Sequence, residues 1–328
     1  LTNCAVRGNF VVGGHGGNAS GNQASGPGGV GSGGGIYNVN SLVLSACTLD
    51  ANSTTYGSGG TGGLGESIPG AASGGGLANP TGNATLYTST IANNIVNGNG
   101  STGGGGGIFS QGTLVIYNAT ISGNSGDASG GGVNGNGQIR DTLIAGNTAF
   151  ASPDVAGAFT TAGYNLIGAI DGSSGFANGV NHDQAGTQAS PLNPLLGSLA
   201  SNGGLTPTMA LLTGSPAIDK GNRFGLVTDQ RGQLRPYDFA GIGNAAGGDG
   251  SDIGAFELNL PILNVARSAN QVVLSWPVSD TGYTLQFKTN LTLSIAWSNV
   301  LGAPILIGSK HFMTNSGASG NKFYRLAK

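Results

Sequence analysis

The chain has 328 residues, 65 of them glycine, and 12 Lys plus Arg against 14 Asp plus Glu give a formal net charge of -2. With 8% of residues charged, a broad nucleic-acid footprint is excluded, because it needs clustered Lys and Arg to displace counterions. The 38% apolar residues come in short Val, Ile and Leu runs, which disfavours disorder, and the glycines keep no period of three, which excludes collagen.

No stretch approaches the roughly 18 apolar residues of a membrane span, and no basic-then-apolar signal segment opens the chain. It starts at Leu1 without Met, and LTNCAVRGN already matches later repeats, so a start within a larger precursor is expected.

Four segments share one template: SGGGIYNVNSLVLSACTLDAN (32 to 52), SGGGLANPTGNATLYTSTIANN (73 to 94), GGGGIFSQGTLVIYNATISGN (104 to 124) and SGGGVNGNGQIRDTLIAGN (129 to 147). A partial fifth copy ends at Asn9. Aligned on the closing residues Asn9, Asn52, Asn94, Asn124 and Asn147, each copy has an apolar residue three places earlier: Val6, Leu49, Ile91, Ile121 and Ile144. Leu44, Leu86, Ile116 and Ile139 lie eight places earlier, and Ile36, Leu77, Ile108 and Val133 follow the glycine triplets.

The change of parity between the two offsets predicts two short period-two strands with a corner between them. Units of about 20 to 25 residues cannot bury an apolar side alone, so neighbours must stack. The predicted fold is all-β: a right-handed parallel β-helix over 1–170, an irregular cap over 171–258 and a small β-sandwich over 259–328. The closing asparagines should form a structural ladder, since Asn tolerates a left-handed corner and can bond to the backbone or to the next Asn.

The copies differ in length between the Asn and the next triplet, so residues 10 to 31, 53 to 72 and 95 to 103 form a one-sided Gly-rich fringe. A fringe of this kind is either a binding edge for a glycan or surface ligand, or a set of flexible loops. Cys4 and Cys47 both lie five places before their Asn and should stack; a buried thiol pair is favoured over a disulfide.

DVAGAFTTAGYNLIG (154 to 168) reads as one last coil. GYNLIG, PLLGSLASNGGLTPTMALLTGSPAIDKGN (191 to 222), TDQRGQLRP (228 to 236) and SDIGAFE (251 to 257) follow in order. On these motifs the chain, over 1 to 258, resembles the choice-of-anchor Q domain family of bacterial exported proteins. The resemblance implies a pectate-lyase-like β-helix, export and a surface or extracellular location, but no reaction. Residues 219 to 257 hold ten charges, whose Arg and Asp pairs are expected to cap the open end of the helix. Asp249, Asp252 and Glu257 are the alternative, a candidate calcium site with oxygen ligands at short spacing.

From Leu260, alternation sharpens through QVVLSWPV (271 to 278), YTLQFKTN (283 to 290), APILIGSKHFMT (303 to 314) and KFYRLAK (322 to 328). These strands resemble a C-terminal module of Verrucomicrobia-type exported proteins. Trp276 and Trp297 are expected in its core. The module carries Arg267, Lys288, Lys310, Lys322, Arg325 and Lys328 against Asp280, opposite in sign to residues 1 to 218.

The expected function is an extracellular structural or adhesive surface protein, able to self-associate head to tail into filaments by strand addition at the N-terminal coil. No enzyme, cofactor, nucleic-acid partner or transmembrane segment is expected. The rival is a polysaccharide-binding or polysaccharide-degrading lyase or hydrolase, which needs converging carboxylates. Asp50, Asp127, Asp141 and Asp154 form no ladder, and His15, His182 and His311 are scattered. Thr48, Thr90 and Thr120 stack, but lack the second rank of an ice-binding face.

Overall fold

A computed structural model describes residues 1–100, 103–261, 263–269, 271–277, 283–292, 295–308, 310–316 and 321–327. Residues 101 and 102 of the fringe, Val278, and Asp280 and Lys328 of the charge balance lie outside these. The chain divides into two compact units, Leu1–Ala200 with Gly204–Leu258, and Ser201–Gly203 with Asn259–Lys328. Among the described residues the regular elements are strands, apart from one 3-10 turn at Val180–His182. No helix there is long and apolar enough to cross a membrane.

The first unit is built from parallel sheets that each take one strand per repeat. Sheet A holds Ala5–Arg7, Thr48–Asp50, Thr90–Ala92, Thr120–Ser122, Leu143–Ile144, Leu166–Ile167 and Gln184–Ala185, in that order. Sheet B holds Phe10–Val12, Ser53–Thr55 and Ile95–Asn97, and sheet C holds Gly31–Ser32, Ala72–Ser73 and Gly103–Gly104. In sheet D, the series Ile36–Tyr37, Leu77–Asn79, Ile108–Ser110, Val133–Gly135 and the series Ser41–Ser45, Asn83–Tyr87, Thr113–Tyr117, Gly137–Arg140 meet in one long strand, Val155–Gly163. One of the large parallel sheets curls into a half-barrel.

The apolar columns of the repeat are the register of these sheets. Val6, Leu49, Ile91, Ile121, Ile144 and Ile167 are successive partners in sheet A. Leu44, Leu86, Ile116 and Ile139 are partners in one arm of sheet D, and Ile36, Leu77, Ile108, Val133 and Val155 in the other. The three columns converge on one core. A one-residue slip in any sheet would turn its column outward, so burial itself enforces register.

Residues 171 to 258, the expected cap, meet the stack in two places. Beyond the last long strand, Phe176 packs on Phe159 with ring centroids 5.4 Å apart, and Leu192 N–H bonds to Gly168 O at 2.9 Å. Residues 206 to 257 instead run along the outer face of sheet A. Thr48 Oγ1 donates to Pro207 O at 2.6 Å, Thr90 Oγ1 to Gln230 Oε1 at 2.6 Å, and Ala255 N–H to Thr120 Oγ1 at 3.0 Å. The Thr column is therefore buried beneath a docked segment and is no exposed face. Its hydroxyls are polar handles by which the docked segment is held.

The Gly-rich fringe is also ordered. Gly13, Gly16 and Ala19 donate to Thr55 O, Ser58 O and Thr61 O, while Gly57 and Gly60 donate to Gly29 O and Gly26 O, and Ser67 and Gly70 to Gly60 O and Gly57 O. Bonds at every third residue between extended segments are the signature of polyproline-II-type backbone, which has three residues per turn and no internal bonds. The chain as a whole keeps no period of three, yet these segments do locally. Each of the first two repeats runs out and back, and glycine lines the contact because a methyl on Gly13 would meet Gly29 O and Gly57 N.

The second unit has two antiparallel sheets. One contains Asn264–Ser268, Gln271–Pro277, Lys310–Ser316 and Ile305–Ile307, the other Ser298–Asn299, Thr284–Lys288 and Phe323–Ala327. Leu274 and Trp276 from the first and Leu285 from the second share a small core. Trp297 is half-buried and lies under two cations, Arg325 at 4.4 Å and Lys288 at 5.3 Å from its ring.

Gly13→Ala and Gly57→Ala are expected to destabilise the fringe by about 1–3 kcal/mol, read as faster limited proteolysis within 12–31 and 55–72. Gly14→Ala and Gly17→Ala, where an added methyl meets nothing within 4 Å, should leave cleavage unchanged.

Candidate functional site

The five closing asparagines form one directed chain of hydrogen bonds. Asn9, Asn52, Asn94 and Asn124 each donate Nδ2 to the Oδ1 of the next Asn at 2.9 Å. The same Oδ1 accepts the backbone N–H of the previous Asn, at 3.1 Å for Asn9 and 3.0 Å for Asn52, Asn94 and Asn124. Each Nδ2 from Asn52 onward also reaches back to the carbonyl of Val6, Leu49, Ile91 or Ile121. The ladder ends on a carboxylate: Asp154 Oδ1 accepts Asn147 N–H at 3.0 Å and Asn147 Nδ2 at 2.9 Å. Burial pushes the Asp154 carboxyl above its ordinary range, against the Asn147 donors that lower it.

The left-handed corner sits one residue earlier than the sequence places it. Gly8, Ala51, Asn93, Gly123 and Gly146 carry φ of 64, 53, 57, 73 and 72°, whereas the ladder asparagines do not. The turn thus needs a left-handed residue beside the Asn, and the Asn itself is selected for its side chain.

A second ladder follows the cysteine column. Cys47 N–H bonds to Ser89 Oγ at 3.1 Å and Thr142 N–H to Asn165 Oδ1 at 3.0 Å, and Asn165 Nδ2 donates to Asp183 Oδ1 at 2.9 Å. It too ends on an acid, and burial likewise raises Asp183. Cys4 and Cys47 occupy the N-terminal end of this column as free thiols, Cys47 buried and Cys4 half-buried.

The carboxylates considered for chemistry are consumed in packing. Arg235, fully buried, donates Nε to Glu257 Oε2 at 2.9 Å and also bonds the carbonyls of Gly254 and Asp252. Glu257 Oε1 accepts Tyr237 N–H at 2.7 Å. Asp252 accepts the backbone N–H groups of Asp219 and Leu258 at 2.8 and 2.5 Å. Asp249 faces Arg223 at 3.2 Å and Ser251 Oγ at 2.6 Å. Calcium takes six to eight oxygen ligands, and these oxygens face guanidinium and N–H groups instead. Asp249, Asp252 and Glu257 therefore do not fit a calcium site, and no metal-capable group of three His, Cys, Asp or Glu occurs among the described residues.

Asp141 joins this cluster from the stack. Its Oδ1 accepts Asn222 N–H at 3.0 Å, and Arg235 lies 3.9 Å from its Oδ2. Burial raises Asp141 and Asp252 well above the usual carboxylate range, and Glu257 above its own; Arg235 lowers all three. Burial alone would lower Arg235, yet the surrounding acids hold it above its ordinary value.

Asp50 is bound by Arg7 at 2.8 Å and Asn93 at 2.9 Å. His15 bonds Ser58 Oγ at 2.5 Å, His182 stacks on Tyr164 and His311 lies against Trp276. His182 also acts electrostatically on the Asp183 carboxyl beside it in sequence, lowering it.

Two surfaces among the described residues carry aromatic side chains on sheet D. One is the outer face of sheet D, where Tyr87 and Tyr117 lie 5.4 Å apart and Arg140 covers Tyr117 at 3.6 Å. The other is a groove of about 520 Å³ along the stack where sheets C and D meet, with Ser32, Ser73 and Ser129 on one side and Tyr37, Phe109 and Asn134 on the other. Sequence reasoning did not find this groove, because its residues lie on opposite flanks of the glycine triplets.

Asn94→Ala should strand the buried donors of Asn52 and cost about 3 kcal/mol or more, read as the denaturation midpoint, whereas Asn97→Ala on the surface should stay within about 0.5 kcal/mol. Arg235→Met leaves Glu257 and Asp141 unpaired in the interior, at an expected cost of about 3–5 kcal/mol. Carboxyls raised in the folded state favour folding below their unfolded value of about 4 and lose that contribution as pH rises through the folded value. The destabilisation by Arg235→Met should therefore shrink between pH 7 and pH 4 in chemical denaturation.

No family model, no curated protein and no solved structure matches the chain.

Proposed function

We propose that the chain is an extracellular structural and adhesive surface protein, whose first unit is a right-handed parallel β-helix and whose second is a small β-sandwich. The observation that carries this reading is the fate of the acidic residues. Asp50, Asp141, Asp154, Asp183, Asp219, Asp229, Asp252 and Glu257 are all buried, and each is hydrogen-bonded to a backbone N–H, an amide, a hydroxyl or a guanidinium of the fold. Acid–base chemistry on a polysaccharide needs two carboxylates free to face the same bond. Here they hold circuits and flank together, which suits a protein that must persist rather than turn over.

The low surface charge and the ordered fringe support the same reading, since a rigid, nearly neutral face adheres by shape and hydrogen bonding. Export and membership of the choice-of-anchor Q family rest on the motifs of residues 163 to 257 alone.

We also propose head-to-tail self-association of the first unit. Among the described strands Ala5–Arg7 and Phe10–Val12 pair on one side only, and Phe10 is 76% exposed; a strand of a second copy, or a coil preceding Leu1, fits there by addition. Light scattering is expected to show mass rising with concentration, and a Val12→Pro variant, which removes a donor on the side away from Ser53–Thr55, should remain monomeric. Mass that does not rise contradicts the filament reading.

The adhesive reading is tested by co-sedimenting the full chain with insoluble cell-wall polysaccharide while assaying new reducing ends and unsaturated sugars. Retention without product is expected. Product release, or no retention, contradicts it.

A further inference from the structure

We infer that the groove between sheets C and D binds an extended, uncharged β-linked polysaccharide; the inference rests on the adhesive reading and names its ligand. The groove follows the stack, so its lining repeats with the strand spacing. On one wall Ser32, Ser73, Gly104 and Ser129 are successive partners, and on the other Tyr37, Ala78, Phe109 and Asn134 are. Hydroxyls therefore stand on the first, second and fourth of four strands spaced about 4.8 Å apart, with Gly104 between Ser73 and Ser129. Successive sugars of an extended β-linked hexose chain advance by nearly the same step.

The aromatic rings carry the second part of the match. Tyr37 and Phe109 are separated by Ala78, so the two rings stand two strands, or about 10 Å, apart. An extended β-1,4-linked chain turns over at each linkage and shows the same face at every second sugar. Two rings at that separation can therefore stack on equivalent faces, while the alanine between them leaves room for the inverted sugar. Tyr37 is 56% exposed, which is costly for so large an apolar surface unless something covers it.

Polar groups complete the fit. Ser32 and Ser73 hydroxyls lie 3.1 Å apart, and Asn134 Nδ2 donates to Ser129 Oγ at 2.9 Å. Paired hydroxyls and an amide offer both donors and acceptors, as sugar hydroxyls require. None of the described residues lining the groove is charged, so a uronate chain would surrender hydration with no cation in return, whereas a neutral chain loses little.

The test is calorimetric titration of the full chain with cello-oligosaccharides and mannan oligosaccharides of increasing length, against malto-oligosaccharides and oligogalacturonates. Affinity for one β-1,4 series should rise up to about four sugars, one for each strand crossed, and stay constant between low and high salt. Tyr37→Ala, on the surface, should lower it about tenfold with an unchanged melting midpoint, and Phe109→Ala should do the same, whereas Tyr87→Ala on sheet D should not. No binding to either β-1,4 series, binding confined to the uronates, or affinity unmoved by Tyr37→Ala overturns the inference. Retention of both wild type and Tyr37→Ala on insoluble polysaccharide would overturn the groove alone and leave the adhesive reading standing, whereas no retention of wild type would remove that reading too.

Discussion

The carboxamide ladder from Asn9 to Asp154 is the interaction on which the first unit depends. A parallel strand pair fixes its neighbours only through slanted backbone bonds, and short strands of two or three residues supply few of them. An Asn at each corner adds an inward group that donates forward and accepts from behind, so every circuit is clamped to the next at one fixed register. Because every amide is oriented alike, the chain of dipoles is cooperative and must end on an acceptor. Asp154 is that acceptor, and Asp183 ends the shorter ladder through Asn165.

This constraint accounts for where charge is found. A buried carboxylate is costly unless saturated by donors, and most of the buried acids sit where the fold has spare N–H groups: at ladder ends, at the left-handed corner of Asp141, and around Arg235 in the docked flank. That flank in turn exists because sheet A presents outward hydroxyls at Thr48, Thr90 and Thr120. Gln230 reads two of them at once, taking the Thr90 hydroxyl on Oε1 and donating Nε2 to Thr48 Oγ1 at 2.9 Å. The polar work of the fold is internal, which leaves a nearly neutral exterior with one aromatic-lined groove.

Much of this was legible in the sequence, because periodic burial writes itself into residue type. The columns through Leu49, Leu44 and Ile36 and the Asn ladder could be aligned by eye, and they are the register of the sheets. Features that depend on contacts distant in sequence were not legible. Thr48 and Gln230 are 182 residues apart, so nothing local showed that the Thr column would be covered. The left-handed corner was assigned to the Asn and belongs to its neighbour, since both Ala51 and Gly123 serve there and share no sequence signature. For the fringe the sequence left a binding edge and flexible loops both open, because glycine packing carries no side-chain pattern; only the hydrogen-bond spacing exposes its three-residue period. The groove escaped notice because Ser73 and Phe109 come from different repeats and meet only once the sheets stack.

Hydrogen exchange across the ladder tests this account most directly. The backbone amides of Asn52, Asn94 and Asn124, each bonded to a buried side-chain oxygen of the next circuit, should exchange together, only through global unfolding of the first unit, and far more slowly than Phe10–Val12 at the edge. Exchange of these amides one by one, through local openings at the rate of the edge strands, would contradict it.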